Sequence, residues 1–390
     1  MKRIWLLVIV ALVGLGAYLY MRPVSSVGPI SRISAVPRTQ EIALPWPGSG
    51  QAALGASGYG LLASHNAGQP VSIASIAKVI TALAVLRQKP LVPGSQGPTL
   101  TLDSTDVDFF NYYYTRDGSV ANVKDGEQIS EYQALETMLI PSANNMADSL
   151  ARWAFGSVSS YVTYANQMVK NMGLSHTKVG DSNGFSDTTT STADDLVKLG
   201  LAALSNPTVA QIVSQKTAQV PVQGTINNVN WLLGQDGVVG IKTGNTDNAG
   251  GCYLFAAKQE VQGHSITLVG AVLGTAQLND AISAASPLIK ASDNGFEQVK
   301  IVHQNQVMGS YKSPWNSTAQ FRASKDLSLF VWKGQDIKIL NQPNTINAPQ
   351  SAGAQVGSVT VQSGQQTATA PLLLNNNLAK PSWWWRLSHH

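Results

Sequence analysis

A serine and a lysine three residues apart, in Ser75-Ile76-Ala77-Lys78, are followed along the chain by Ser142-Ala143-Asn144 and then by Lys242-Thr243-Gly244. A serine hydroxyl is a poor nucleophile at neutral pH and needs an adjacent base. A lysine becomes that base when nearby cations and partial desolvation lower its pKa. Taken singly, Ser75 reads first as a helix N-cap, Ser142 as a loop cap and Lys242 as a solvated strand end. Taken together they read as a serine acyl-transfer site that works without histidine, because all three motifs fall at element ends where a cleft needs them.

The elements that must position these residues can be read around them. Ala74 to Leu86 predicts a helix with Ile76, Val79, Ile80 and Leu83 on one apolar face, so Ser75 and Lys78 stand one turn apart. Ser75 then lies at the helix start, where backbone N–H groups favour negative charge on a tetrahedral intermediate. Ser142-Ala143-Asn144 opens a second helical run from Asn145 to Ala154, so Ser142 can pass a proton and the Asn144 amide can hold both Lys78 and a substrate carbonyl. Val238 to Ile241, Gly250 to Ala257 and Ser265 to Gly274 read as strands. The first delivers Lys242 and Thr243 as a cation and a hydroxyl for a carboxylate, and Gly244 as a point of close backbone approach.

The chain resembles the low-molecular-mass penicillin-binding proteins that act as D-alanyl-D-alanine carboxypeptidases. The resemblance rests on the three motifs, on Met138-Leu139-Ile140-Pro141-Ser142-Ala143-Asn144-Asn145, and on Val239-Gly240-Ile241-Lys242-Thr243-Gly244. It extends over Asn171-Met172-Gly173-Leu174 to Asp181-Ser182-Asn183-Gly184, with Asn183 and Asn245 departing from the family's usual residues. The resemblance implies an α/β (α+β) serine β-lactamase/DD-peptidase-like catalytic domain, an antiparallel sheet flanked by helices, with a small C-terminal all-β domain. It implies that Ser75 attacks the carbonyl between two terminal D-alanines of a peptidoglycan stem peptide, Lys78 takes its proton and Ser142 relays it to the leaving D-alanine. Asn144 orients, Lys242, Thr243 and Gly244 bind the substrate end, and β-lactams acylate the same serine. A class A β-lactamase shares the motifs but deacylates through a later Glu, and none occurs between Glu136 and Glu260. A non-turnover penicillin-binding sensor or wall-binding module is the other rival, and steady D-alanine release separates it from an enzyme.

Composition sets the frame. The 390 residues accommodate two domains, and 44% hydrophobic content supplies a core for each. The formal charge of +4 is scattered without a basic stripe, which argues against nucleic acid and suits an anionic envelope. Cys252 is the only cysteine, set in the apolar strand Gly251–Phe255, and reads as a buried inert thiol. The six histidines show no metal-ligand spacing, so neither metal nor other cofactor is expected.

Lys2 and Arg3 precede an apolar run from Ile4 to Met21, 18 residues or about 27 Å as a helix, enough to cross a bilayer core. The run favours an uncleaved anchor over a signal peptide, because it exceeds the usual apolar region and lacks a clear small-residue cleavage site. Either way the bulk of the chain is exported, to the extracytoplasmic face of the cell membrane. The organisation read from these signals is an anchor or signal over 1–21, a Pro-containing spacer over 22–50, a catalytic domain over 51–291, a β-rich domain over 292–375 and a Trp-rich tail over 376–390. Within the catalytic part, Phe109, Phe110, Tyr112, Tyr113 and Tyr114 form a cluster that packing explains more simply than a substrate groove. Trp383-Trp384-Trp385-Arg386 suits a headgroup layer or a tail packed on the β domain.

Overall fold

The computed structural model describes residues 2–32 and 35–389, without the side chains of Lys2 and Arg3. The charges placed before the apolar run therefore lie outside the described side chains, and residues 33 and 34 of the spacer lie outside the described residues. Two compact units emerge, one from Ile42–Phe296 and one from Met1–Glu41 with Glu297–His390.

In the first unit, five antiparallel strands form a sheet in the order Val238–Thr246, Gly250–Val261, His264–Thr275, Gln51–Ala56, Gly60–His65. The strand that carries Lys242-Thr243-Gly244 is thus at the sheet edge. Helices Ala193–Leu204 and Leu278–Ser292 pack against this sheet. The helix Ala77–Gln88 is buried from Ala77 through Leu86 on every face, with helices Glu131–Leu139, Asn144–Phe155, Val158–Asn171 and Ala193–Leu204 against it. It runs through the core rather than lying on it with one apolar face, as its run of Ala, Val, Ile and Leu permits. Its start also differs from expectation: Ala74–Ile76 is a single 3₁₀ turn, and the α-helix begins at Ala77.

In the second unit, six antiparallel strands run in the order Pro29–Ser31, Val307–Lys312, Thr318–Ala323, Gln366–Leu374, Gln355–Ser363, Ile337–Pro343. Phe296–Val302 pairs separately with Leu327–Trp332. The stretch read as an extended spacer is partly built into this unit: Val27 is 3% exposed in its core and Pro29–Ser31 pairs with Tyr311–Gly309. An edge position tolerates Pro29, which has no N–H to donate. Leu378 is fully buried in the same core, and Trp383–Ser388 is a short helix whose Trp385 ring lies 5.4 Å from that of Trp315. The N-terminal helix Lys2–Met21 is exposed along its apolar window.

Candidate active site

Lys78 sits in a helix that is buried all round, so its ammonium has no water to solvate it and must be satisfied by protein groups or lose its proton. Its Nζ lies 2.8 Å from Ser75 Oγ, 2.6 Å from Asn144 Oδ1 and 3.0 Å from the backbone carbonyl oxygen of Asn183, all within hydrogen-bond distance. Burial holds its pKa well below the ordinary lysine range, and the charge of Lys242 lowers it further, against smaller opposing effects from Asp181 and Asp148. A neutral amine has two N–H groups and one lone pair. The two carbonyl-type oxygens can only accept, so they take the two protons and leave the lone pair to the Ser75 hydroxyl. This set of partners accommodates the deprotonated amine that burial favours.

Ser75 lies in the 3₁₀ turn, after Ala74 at φ 45°. Ser142 is likewise in the left-handed region, at φ 69°, following the break that Pro141 makes after helix Glu131–Leu139. Non-glycine residues held there cost on the order of 1–3 kcal/mol each, and such strain gathers at functional sites. The helix Asn144–Phe155 then begins at once and turns Asn144 toward Lys78, and it stops at Gly156 in a left-handed cap.

Gly244 brings the edge strand against the turn that carries Ser75. A Cβ added to it would meet Ser75 N at 2.9 Å, the Ala74 Cβ at 3.0 Å and Ile73 O at 3.1 Å. Lys242, on the same strand, is 2% exposed with Nζ donating to Thr243 O at 3.0 Å, and burial alone brings its pKa to about 7. A cleft of about 480 Å³ opens over Ser75, lined also by Asn144, Gly118, Ser119, Phe185 and Asn245.

The structure thus joins Ser75, Lys78 and Asn144 by hydrogen bonds and packs Gly244 against the serine, with Lys242 close enough to act on Lys78 electrostatically. Ser142 and Thr243 are buried nearby, and among the described residues neither hydroxyl makes a hydrogen bond. Of the aromatic cluster, Tyr113 alone is buried, bonded to Asp148 and Asn183, while the Arg116–Ser119 turn after it reaches the cleft. Sequence reasoning missed Asp148, Tyr113 as a hydrogen-bonding group, and Asn183 as a ligand of Lys78. Asp148 had a usable signal, since it follows Asn144 by four residues on one helix and so shares its face. Cys252 is fully buried, and burial pushes its thiol up to about 11.

The sequence profile of the D-alanyl-D-alanine carboxypeptidase family matches residues 55–276, and that of the penicillin-binding protein 5 C-terminal domain matches residues 296–380. The chain is 20% identical to D-alanyl-D-alanine carboxypeptidase DacF of Bacillus subtilis, over 82% of this chain and 83% of the relative. It is 25% identical to D-alanyl-D-alanine carboxypeptidase DacC of Escherichia coli, over 84% and 83% respectively. Its fold is similar to the crystal structure of penicillin binding protein 5 from Haemophilus influenzae, with a TM-score of 0.63 at 21% identity, covering 87% of this chain and all of that one (100%).

Proposed function

This chain belongs to the D-alanyl-D-alanine carboxypeptidase family, and we propose that its buried lysine–serine pair removes the terminal D-alanine from peptidoglycan stem peptides through an acyl-enzyme on Ser75. It is a serine-type DD-carboxypeptidase acting on peptidoglycan. The observation that carries the residue assignment is the Lys78 amine, fully buried, 2.8 Å from Ser75 Oγ, with acceptors for both of its protons.

In this reading the substrate lies extended along the edge strand, whose outer side is available for an added strand. Charged Lys242 and the Thr243 hydroxyl take the terminal carboxylate, and Gly244 leaves room for the peptide backbone. Neutral Lys78 accepts the Ser75 proton as Oγ attacks the carbonyl between the two D-alanines, and the N–H groups at the helix start stabilise the developing oxyanion. Ser142 relays the proton to the departing amine, while Asn144 holds Lys78 and the substrate carbonyl. Water, with the proton path reversed, hydrolyses the ester and restores Ser75. β-Lactams enter the same path and remain as long-lived acyl adducts. The N-terminal apolar helix anchors the enzyme with its catalytic unit on the extracytoplasmic face.

Incubation with a stem pentapeptide ending in D-Ala-D-Ala, with D-alanine measured over time, tests this. Steady release by the native protein and none by Ser75→Ala is expected; equal release by the variant overturns the nucleophile.

A further inference from the structure

Four residues after Asn144 on the same helix stands Asp148, 7% exposed, and among the described residues its carboxylate enters no ion pair. A carboxylate buried without a cation is costly unless hydrogen-bond donors surround it. Here Oδ1 accepts from Ser182 Oγ in a short bond and from Asn183 Nδ2 at 3.3 Å, and Oδ2 accepts from Tyr113 Oη at 2.7 Å. Tyr113 Oη in turn accepts from Asn183 Nδ2 at 2.6 Å.

These bonds fix one short segment from three sides. The side chain of Asn183 is held by Asp148 and Tyr113, and its Oδ1 accepts the Phe185 N–H at 2.9 Å. The Ser182 carbonyl accepts from Thr81 Oγ1 at 2.5 Å, and Thr81 lies one turn beyond Lys78 on the same helix and pairs with Tyr161 Oη at 2.8 Å. What remains to Asn183 is its backbone carbonyl, and that oxygen is the one 3.0 Å from Lys78 Nζ. We infer that Asp148 is a positioning residue for the general base, clamping Ser182 and Asn183 so that the Asn183 carbonyl takes one proton of Lys78 and turns its lone pair toward Ser75. The inference rests on Lys78 being that base.

Charge gives the clamp a readout that packing alone lacks. The titratable groups around Asp148 and Lys78 are Tyr113, Tyr161, Asp181 and Lys242. Asp148 and Asp181 oppose the loss of the Lys78 proton, so removing the Asp148 charge lets Lys78 deprotonate at lower pH.

The test is the rate of penicillin acylation of the full-length protein in detergent as a function of pH, with the adduct located by peptide mass spectrometry and folding followed by thermal melting. Asp148→Asn keeps the shape and one acceptor. We expect its acid limb at lower pH than in the native protein and a plateau reduced on the order of 10-fold; for Asp148→Ala we expect a loss on the order of 100-fold. Tyr113→Phe, which keeps the ring, provides a second reading should the Asp148 variants fail to fold, and it should acylate several-fold more slowly. An unmoved acid limb in folded Asp148→Asn, or native rates in folded Tyr113→Phe, overturns the inference. A native protein that acquires no adduct on Ser75 overturns the assigned base and nucleophile along with it.

Discussion

The proposed mechanism needs Lys78 and Lys242 in opposite protonation states, and burial lowers the pKa of both. In the proposed mechanism Lys78 works neutral, so kcat/KM should rise as pH rises through its lowered pKa, and Lys242 works charged, so kcat/KM should fall as pH rises through about 7. A bell-shaped profile follows for substrates with a free carboxylate. In Lys242→Arg the guanidinium keeps its proton throughout, and the alkaline limb should vanish from the profile; a limb left in its native place removes Lys242 from carboxylate binding. Lys78→Arg should abolish acylation for the same reason, since a permanent cation cannot accept the serine proton, and normal labelling by that variant removes Lys78 from its role. Ser75 and Lys78 were legible in the sequence because one helical turn sets their meeting. Tyr113 and Asn183 were not, since their bonds join residues 35 and 70 positions apart and no local pattern announces them, while Asp148 had only its helical spacing from Asn144 to mark it.

At the scale of elements, the approach of the edge strand to the Ser75 turn depends on one missing side chain. Gly244→Ala would place a Cβ 2.9 Å from the Ser75 backbone nitrogen, and the other nearby atoms are the Ala74 Cβ and the Ile73 carbonyl oxygen, none of which can swing aside. The strand must then retreat by a few tenths of an ångström, and acylation should drop on the order of 100-fold while the melting temperature changes little; native acylation by this variant shows the close approach to be dispensable. The three strands of Val238–Thr246, Gly250–Val261 and His264–Thr275 were readable from long apolar runs broken by glycine. The strands Gln51–Ala56 and Gly60–His65 were not, because Ala and Gly have low strand propensity and their pairing with His264–Thr275 imposes the conformation. The helix Ala77–Gln88 was read as amphipathic, whereas its small and aliphatic residues let other helices pack on every side.

For the whole molecule, the proposed membrane attachment assigns separable tasks to the two ends of the chain. The helix Lys2–Met21 exposes its apolar window, and Trp383 and Trp384 at the other end are 51% and 74% exposed. A spanning helix binds far more strongly than an interfacial patch, so protein lacking residues 381–390 should stay with membranes through high salt and carbonate; its release in soluble form with a trimmed N-terminus shows the helix to be removed instead. The β-rich part was expected over 292–375, but the role of Val27 to Ser31 as its edge was hidden behind prolines that read as a spacer. The central claim, an acyl-enzyme on Ser75, is tested most directly by the mass of the intact protein after brief exposure to benzylpenicillin, followed by peptide mapping. The mechanism predicts one added penicilloyl group per chain, on the peptide containing Ser75 and absent from Ser75→Ala. A stoichiometric adduct on any other residue, or on the Ser75→Ala protein, would contradict it.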